Sequence, residues 1–473
     1  MRKQTKIVAT ISDRRCDPDF ISQLYQEGMN VARLNTAHQS PEDTLQVIQN
    51  IRSVSEKIGI LIDTKGPEVR TKGIIEDIPV KTGETVRITT GNAEGKAISL
   101  SYPGFIQDIP EGAVILIDDG AVALKAVKKS DDTLECTVEN DGVIQNKRSV
   151  NVPGVHLNVP ALSEKDMEYI NFAIENDIDF IAHSFVRNKK DLKEIQKVLD
   201  AKNSRVKIIS KIENREGVEN LKEIIKHSAG VMIARGDLGI EIPAEEVPAI
   251  QKMIIRMCMK KAKPVITATQ MLHTMIENPR PTRAEVSDVA NAIFDGTDAV
   301  MLSGETAYGK YPLESVRIMA RIARKIESEK PKVQDLPLLK MKNKLRNYLA
   351  MTAVHASIDL PVTAIVSDVE TGHSARVVAA YRGHVPIYAK CGDRRVVREL
   401  SLTYGVYPSF MEIPATTDQV VQNSLESLVQ TGDLSHEDLV VVLTGTPGCR
   451  DGSNIIEINT VRHCLIGKQR NIR

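Results

Sequence analysis

The chain has 473 residues, of which 42% are hydrophobic and 26% charged, a composition that excludes a disordered chain and, at roughly 100–200 residues per domain, predicts two to four domains. Sixty-two basic residues balance sixty-two acidic ones and aromatic residues are only 4%, so no nucleic-acid partner and no anionic membrane surface is expected. We also expect no membrane span, no signal peptide and reduced thiols at the six cysteines, as in a cytoplasmic protein.

Short apolar runs alternate with amphipathic stretches over much of the chain. Eight runs are nearly continuous in apolar character, as parallel strands covered by helices are. They are Lys6–Ile11, Met29–Asn35, Gly59–Lys65, Asp179–Phe185, Lys207–Glu213, Gly230–Leu238, Lys263–Met271 and Asp298–Thr306. Eight repeated strand–helix units predict a (β/α)8 barrel, formed by residues 1–70 and 154–330.

Two segments depart from this alternation. Residues 71–153 are rich in Gly, Thr and Val and contain short alternating runs, which predicts an inserted all-β domain after the third barrel strand. An insertion there lies at the C-terminal face of a barrel, where active sites are found, so we expect it to act as a lid. Residues 331–473 alternate strands and helices again and predict a separate C-terminal α/β domain.

Two consecutive barrel strands carry the strongest chemical pattern. Lys211 and Glu213 are two residues apart and therefore share a strand face, and Asp237 is expected at the C-terminal end of the next strand. Since neighbouring strands lie about 4.8 Å apart, Glu213 and Asp237 are predicted to hold one magnesium ion beside Lys211, an arrangement suited to phosphate chemistry. The alternative is a buried structural Lys–Glu pair.

Polar residues end most of the other barrel strands as well. They are Arg33 and Asn35 on strand two, Asp63, Thr64, Glu68 and Arg70 after strand three, Thr267 and Thr269 on strand seven, and Ser303, Glu305 and Thr306 on strand eight. A single polar residue at a strand end is explained by the exposure of the barrel rim to solvent. Together they form a set of acidic and basic groups suited to binding phosphate and cations.

At this point the residues match a known family. The stretches that match are Met29–Asn35, Asp63–Arg70, Ile208–Asn214, Ala234–Glu241, Ala268–Met271, Pro281–Glu285 and Met301–Thr306. Over essentially its full length the chain resembles pyruvate kinase. The resemblance implies the three-domain architecture, transfer of the phosphoryl group of phosphoenolpyruvate to ADP in glycolysis, magnesium and potassium as cofactors, and a homotetramer.

The resemblance also implies roles for individual residues. Lys211 would neutralise the transferred phosphoryl group, Arg33 would contact the phosphate, and Thr269 would lie near the carbon that is protonated. The implied ligands are Glu213 and Asp237 for magnesium; Asn35, Asp63 and Thr64 for potassium; Gly236, Asp237 and Thr269 for the substrate carboxylate; and Asn35, His38, Arg70 and Arg148 for the nucleotide.

The chain departs from the family pattern at three places. Ser12–Arg15 replaces the usual Gly-Pro-Ala-Ser, Arg148 stands where a lysine is usual, and Ala37 replaces a serine that normally binds potassium. In the family, a glutamate at the position of Glu68 accompanies potassium dependence, because an added cation is then needed to supply positive charge. We therefore expect a potassium-activated enzyme with weakened potassium affinity.

One loop of the C-terminal domain resembles the family's effector-phosphate loop. Thr371, Gly372 and Ser374 open a helix, where free amides attract anions, and Arg450 lies in a second glycine-containing loop. A phosphorylated effector is the functional interpretation, and an ordinary helix cap with a turn is the alternative.

Two other functions compete with an active kinase. A catalytically weakened metabolite sensor is motivated by Ala37 and the altered loop after strand one. Another barrel enzyme acting on phosphoenolpyruvate or pyruvate, such as an aldolase or lyase, is disfavoured by the lid and the residues on the nucleotide side. Retention of Lys211, Glu213 and Asp237 favours the kinase.

Overall fold

The computed structural model describes residues 2–36, 39–90, 96–330, 338–339, 341, 343–445 and 453–469. The chain begins with three barrel strands, β1 (Lys6–Thr10), β2 (Val31–Asn35) and β3 (Gly59–Asp63), and with helices α1 (Pro18–Glu27) and α2 (Pro41–Val54). Asp17 and Ser40 cap these helices by accepting hydrogen bonds from backbone amides of their first turns. The pairing of β1 with β2 and of β2 with β3 is parallel.

After β3 the chain leaves the barrel and forms an antiparallel-rich β domain. Its elements are β4 (Thr71–Lys72), β5 (Ile78–Val80), β6 (Thr85–Thr89), β7 (Ala97–Leu100), α3 (Phe105–Asp108), β8 (Val114–Ile117), β9 (Val122–Lys129), β10 (Thr133–Val138), β11 (Gly142–Ile144) and β12 (Val150–Asn151). The larger sheet has the order β12-β8-β9-β10-β6-β7-β4, and β11 pairs with β5. This domain has its own apolar core, so the prediction of an inserted all-β domain is confirmed.

The barrel then resumes with its five remaining strands. They are β13 (Phe180–His183), β14 (Lys207–Ile212), β15 (Gly230–Ala234), β16 (Val265–Ala268) and β17 (Ala299–Leu302). The helices of this part are α4 (Glu164–Glu175), α5 (Lys189–Ala201), α6 (Arg215–Glu219), α7 (Leu221–His227), α8 (Arg235–Glu241), α9 (Val247–Met259), α10 (Arg283–Asp295), α11 (Gly304–Ala307) and α12 (Pro312–Glu329), with a 3-10 turn at His273–Ile276. Because β3 pairs with β13 and β17 pairs with β1, the barrel is closed. The predicted (β/α)8 barrel is confirmed.

All eight predicted barrel strands are longer than the observed ones, and three of them extend well past the C-terminal end of the strand. Gly230–Leu238 ends at Ala234 and Lys263–Met271 ends at Ala268, because these two residues are the last pair in register between β15 and β16. Asp298–Thr306 likewise ends at Leu302, and the chain continues as α11. Asp237 is therefore not on a strand but in the first turn of α8, where the helix dipole favours a carboxylate.

The C-terminal part forms an α/β domain, as predicted. Its elements are α13 (Lys344–Asp359), β18 (Val362–Val369), α14 (His373–Ala380), β19 (Ile387–Cys391), α15 (Arg394–Leu400), β20 (Val406–Phe410), α16 (Thr417–Gln430), β21 (Leu439–Thr444), β22 (Ile455–Thr460) and α17 (Val461–Gln469). The sheet order is β20-β19-β18-β21-β22, with only the β21–β22 pair antiparallel among these strands. In the described ranges, no helix is both long and apolar enough to span a membrane.

Buried ion pairs join this C-terminal domain to the N-terminal end of the barrel. Arg398 Nε lies 2.7 Å from Asp179 Oδ1, and Arg382 Nη2 lies 2.6 Å from Asp298 Oδ2. Asp177 also pairs with Arg395 and Arg398. The inserted β domain and the C-terminal domain thus lie at opposite ends of the barrel, and the inserted β domain is next to the C-terminal ends of the barrel strands.

Candidate active site

Lys211 is the central cation at the C-terminal end of the barrel. Its Nζ lies 2.7 Å from Ser184 Oγ, 3.0 Å from Glu213 Oε1 and 3.6 Å from Asp63 Oδ2. Burial lowers the pKa of Lys211, but the carboxylates of Asp63 and Glu213 outweigh burial and raise the pKa above its usual range. The side chain is therefore a fixed ammonium group directed by three partners. Lys211 and Glu213 therefore lie on the same face at the end of β14, as the period of a strand predicts.

Glu213 and Asp237 form a pair of buried carboxyl groups beside this ammonium. Glu213 is 1% exposed, and its Oε2 accepts a hydrogen bond of 2.5 Å from the backbone amide of Phe185. Burial raises the pKa of Glu213 to about 7, and burial also raises the pKa of Asp237. A hydrogen bond forms between the carboxyl groups of Glu213 and Asp237 when one of them is protonated, so the two side chains are adjacent although they come from different elements.

This carboxylate pair has the donor set of a hard divalent cation. Lys211 alone does not compensate two buried carboxylates, as their raised pKa values show. In the described part of the chain, no group of three or more His, Cys, Asp or Glu residues is placed to hold a metal. Magnesium is commonly held by one or two carboxylates and completed by water and substrate oxygens, so the two residues fit it.

Arg33 and Asp63 form a second buried ion pair next to Lys211. Arg33 Nε donates to Asp63 Oδ2 at 2.9 Å, and Arg33 Nη1 donates to Thr10 Oγ1 at 3.1 Å. Burial alone would raise the pKa of Asp63, but Arg33 and Lys211 hold it below its usual value. Asp63 is thus ionised, and within the described residues its buried Oδ1 has no hydrogen-bond partner. Such an atom is a candidate ligand for a cation.

Thr64 and Asn35 are both neighbours of Asp63. Thr64 follows Asp63 along the chain, and Asn35 lies next to it on the adjacent strand. Asn35 is in register with Asp63 at the ends of β2 and β3. The backbone carbonyl of Thr64 accepts a hydrogen bond of 2.8 Å from Ser184 Oγ, which leaves one carbonyl lone pair for another partner. Thr36 Oγ1 donates to the Asp63 carbonyl at 2.5 Å. The structure therefore brings the three predicted potassium ligands to neighbouring strand ends.

Thr269 has a strained backbone that the surrounding residues hold in place. Its φ of 67° lies in the left-handed region, which is unfavourable for a β-branched residue. Arg235 donates to the Thr269 carbonyl at 2.8 Å and pairs with Asp288 at 2.7 Å. The amide of Gly236 donates to Thr269 Oγ1 at 2.8 Å, so these predicted carboxylate-binding groups lie together. Strain of this kind is concentrated at functional sites.

A large cavity extends from this site toward the inserted domain. It has a volume of about 650 Å³, and its lining includes Asp237 from α8 and Arg70 and Arg148 from the two ends of the inserted segment. Arg70 Nε donates to Glu68 Oε2 at 2.8 Å, and Arg148 Nη1 lies 3.3 Å from Asp118 Oδ1. The two arginines predicted to contact a nucleotide therefore face one cavity, while Asn35 is not among its lining residues.

Three residues of the sequence prediction lie outside the described residues, namely Ala37, His38 and Arg450. The rest of the predicted effector loop is described. Gly372 has φ 75° and precedes α14, the carbonyl of Thr371 accepts from Arg376 at 2.8 Å, and Ser374 Oγ accepts from Ser453 Oγ at 3.1 Å. Burial and the nearby Arg346 and Arg376 lower the pKa of His373 to about 4, so positive charge surrounds this loop.

Sequence reasoning missed two residues that organise the site. Ser184 accepts a hydrogen bond from Lys211 and donates to the Thr64 carbonyl, and Arg235 holds the strained Thr269. Ser184 directly follows β13, so the rule that polar residues at barrel strand ends carry function would have found it. No sequence pattern indicates the Arg235–Asp288 pair, because its partners are brought together only by the fold.

Comparison with known proteins gives matches over the whole chain. The family models described as "Pyruvate kinase, barrel domain" and "Pyruvate kinase, alpha/beta domain" match residues 2–316 and 347–459. The pyruvate kinase of Borreliella burgdorferi is 50% identical, with 98% of this chain and 99% of that protein covered. That of Geobacillus stearothermophilus is 44% identical, with coverage of 98% and 81%.

A solved structure agrees with these matches. A crystal structure of a pyruvate kinase from Cryptosporidium parvum superposes with a TM-score of 0.88 at 34% identity, covering 97% of this chain and 96% of that one. At this coverage the superposition includes the barrel, the inserted β domain and the C-terminal α/β domain. The chain belongs to the pyruvate kinase family.

Proposed function

We propose that this site transfers the phosphoryl group of phosphoenolpyruvate to ADP, giving pyruvate and ATP as a step of glycolysis. The observation that carries the proposal is the position of Lys211, an ammonium fixed between Asp63, Glu213 and Ser184. A preorganised cation at this place stabilises negative charge on a phosphoryl group in transfer, which is the main catalytic contribution in such reactions. The adjoining cavity of about 650 Å³ provides room for the nucleotide.

The proposed reaction assigns the bonds as follows. An oxygen of the ADP β-phosphate attacks phosphorus, the bond from phosphorus to the enol oxygen breaks, and the remaining enolate takes a proton at carbon. Lys211 and Arg33 neutralise the phosphoryl oxygens during transfer. We assign the supply of this proton, directly or through water, to the Thr269 hydroxyl; its strained backbone and its hydrogen bond from the Gly236 amide support the assignment.

Substrate binding requires some of the present hydrogen bonds to be exchanged. The Gly236 amide donates to Thr269 Oγ1 and is proposed to turn to the substrate carboxylate together with the amide of Asp237. Arg33 keeps donors beyond those used by Asp63 and Thr10, since a guanidinium has five N–H groups. Arg33 can therefore contact the substrate phosphate without leaving Asp63.

We propose Glu213 and Asp237 as the magnesium ligands of this chain. Their adjacency, burial and raised pKa values support a site that requires added positive charge. When bound there, magnesium would act as a Lewis acid on the phosphoryl and enolate oxygens. The hydrogen bond from the Phe185 amide keeps Glu213 oriented toward the site.

For potassium we propose Asn35, Asp63 and the Thr64 carbonyl. The buried Asp63 Oδ1 supports this assignment, because it is ionised and has no hydrogen-bond partner among the described residues. Potassium there would supply one positive charge next to the phosphoryl-binding Arg33. The nucleotide is proposed to contact Asn35, His38, Arg70 and Arg148. Closure of the inserted β domain over the site is proposed to exclude water from the transfer step.

Further proposals concern regulation and assembly. We propose that Thr371, Gly372, Ser374 and Arg450 bind a phosphorylated effector and that the protein is a homotetramer, as the family resemblance implies. Domain boundaries near residues 70, 153 and 330 are proposed from the sequence. A cytoplasmic location is supported by the buried free thiols Cys136, Cys258 and Cys391.

One assay tests the main proposal. Pyruvate formation from phosphoenolpyruvate is followed with and without ADP, in the presence of magnesium and potassium chloride. A kinase forms pyruvate only with ADP, a sensor forms none, and a lyase or aldolase acts without the nucleotide. ADP-independent turnover of phosphoenolpyruvate would contradict the proposal.

A further inference from the structure

A second polar cavity lies at the end of the barrel opposite to the active site. It has a volume of about 260 Å³ and lies between the N-terminal ends of β1, β2 and β3 and the C-terminal elements β19, β20 and α16. Four basic residues line it, Arg2, Lys6, Lys57 and Lys390. Among the described lining residues the acidic one is Asp433, and Asp433 already forms an ion pair with Arg2.

Lys6 is buried in the wall of this cavity without a carboxylate partner. It is 2% exposed, its Nζ donates to the Val406 carbonyl at 2.6 Å, and it lies 4.4 Å from the ring centre of Tyr407. The nearest acidic groups are engaged elsewhere: Glu327 accepts from the amides of Gln4 and Thr5, and Asp298 pairs with Arg382. Burial lowers the pKa of Lys6 to about 7, and the charges of Glu327 and Asp298 offset only part of this shift.

Lys390 lines the same cavity from the C-terminal domain. It is 3% exposed, and its Nζ donates to Ser427 Oγ at 3.1 Å. Neither Lys390 nor Lys6 has an ion-pair partner within the described ranges. Burial lowers the pKa of Lys390; the carboxylate of Asp433 opposes this shift in part, and the like charge of Lys57 adds to it. An ammonium group has three donors, so both lysines keep donors for a ligand.

These unpaired lysines differ from the other charges at the same domain boundary. Arg382, Arg395 and Arg398 cross the boundary as well, and each pairs with an aspartate of the barrel. Burial of an unpaired charge strongly destabilises a folded protein, so the presence of these two lysines indicates a function other than stability. Exposed Lys57 stands at the mouth of the cavity, and Ser401, Ser409 and Tyr388 add hydroxyl groups to its wall.

We infer that this cavity binds a small dianionic metabolite of the phosphomonoester class, with its phosphate between Lys6, Lys57 and Lys390. The lining shares no residue with the active-site cavity or with the loop of Thr371 and Ser374, so the site is separate from both. Its volume lies below the ~300–1,000 Å³ of pockets for drug-sized ligands, which limits the ligand to a few carbon atoms beside the phosphate. The hydroxyl groups of the wall match a hydroxylated ligand.

Thermal unfolding of the full-length protein tests this inference. Inorganic phosphate and glycerol 3-phosphate are titrated against potassium chloride at matched ionic strength, and each is expected to raise Tm with a saturating dependence. Lys390→Met should raise Tm without phosphate, since an unpaired buried charge is removed, and should weaken the apparent phosphate affinity by roughly tenfold or more. A purely structural Lys390 would instead give a lower Tm in this variant.

Matched variants assign the effect to this cavity. Lys128→Met, which removes an exposed lysine of the inserted domain, should behave as the unmodified protein. Lys211→Met and Ser374→Asp, which alter the two other candidate phosphate sites, should keep the part of the Tm shift that Lys390→Met loses. Lys57→Gln changes an exposed side chain and should weaken the phosphate effect without unfolding the protein.

Two results overturn the inference. The first is an equal phosphate-dependent Tm shift in Lys390→Met, Lys57→Gln and the unmodified protein. The second is a shift with malonate, a dicarboxylate of similar size, when neither phosphate nor glycerol 3-phosphate produces one.

Discussion

The two ends of the barrel bury lysines in opposite electrostatic settings. At the active site Lys211 lies between the carboxylates of Asp63 and Glu213, and its pKa is raised. At the boundary with the C-terminal domain Lys6 and Lys390 have no ion-pair partner in the described structure, and their pKa values are lowered. Lys211 keeps 12% of its side chain exposed, whereas Lys6 and Lys390 are 2% and 3% exposed. All three are largely buried, so the neighbouring carboxylates decide the direction of the pKa shift.

The comparison separates two uses of a buried ammonium. A lysine compensated within the protein keeps its charge before substrate arrives and is ready to stabilise a transition state. A lysine without compensation gains most from a ligand that brings negative charge with it.

Lys211→Met should abolish most of the activity. Removal of one transition-state cation is expected to lower turnover by at least about 10²–10³-fold, because methionine fills the space but carries no charge. Turnover is measured with saturating phosphoenolpyruvate, ADP, magnesium and potassium, and folding is checked by circular dichroism. Lys222→Met, an exposed lysine of α7, serves as the control and should be unaffected. Turnover of Lys211→Met within a few-fold of the unmodified protein would refute the role.

Ser184→Ala should lower turnover by roughly tenfold, the effect of losing one hydrogen bond to a charged group. Ser184 joins the Lys211 ammonium to the Thr64 carbonyl, so its loss should also raise the potassium concentration for half-activation. A positioning role requires both changes in the same titration. A fall in turnover with an unchanged potassium dependence would show that Ser184 supports Lys211 alone.

Glu68→Lys should relieve the potassium requirement that we expect of the unmodified protein. The change replaces a carboxylate that now pairs with Arg70 by an ammonium, which adds positive charge beside the nucleotide cavity. Activity is titrated with potassium chloride against an organic cation at constant ionic strength. Glu76→Lys, the same charge change at an exposed site, should keep the requirement. Full activity of the unmodified protein without potassium would contradict the expected dependence.

Lys6→Met should alter the pH dependence of stability rather than activity. The pKa of Lys6 is lowered from its usual 10.5 to about 7, so the unfolded chain binds more protons than the folded one between these values. The destabilisation by Lys6 is therefore complete below about pH 7 and fades as the pH rises toward 10. Urea unfolding at pH 7, 8, 9 and 10 should show the unmodified protein gaining stability relative to Lys6→Met. Parallel pH profiles would show that Lys6 is compensated after all.

Local sequence patterns predicted much of the active site. Lys211 and Glu213 were placed together by the period of a strand, and the polar strand ends led to Arg33, Asp63 and Thr64. Asp237 was predicted at the right end of the barrel but on the wrong element. The strand ends before Asp237, because its neighbour no longer offers backbone hydrogen-bond partners. The left-handed backbone of Thr269 has no counterpart in the sequence pattern, since Arg235 and Asp288 impose it from other elements.

The sequence by itself determined the barrel, the inserted β domain and the C-terminal α/β domain, and it supplied most of the residues proposed for phosphoryl transfer, since hydrophobic period and motif spacing are local properties of the chain. Only the tertiary structure decided which charges compensate one another. Ser184 accepts a hydrogen bond from Lys211 of the neighbouring strand. Lys6 and Lys390 line the same cavity although 384 positions separate them in the sequence. Electrostatic energy depends on distance in space and on burial, and neither is a function of separation along the chain.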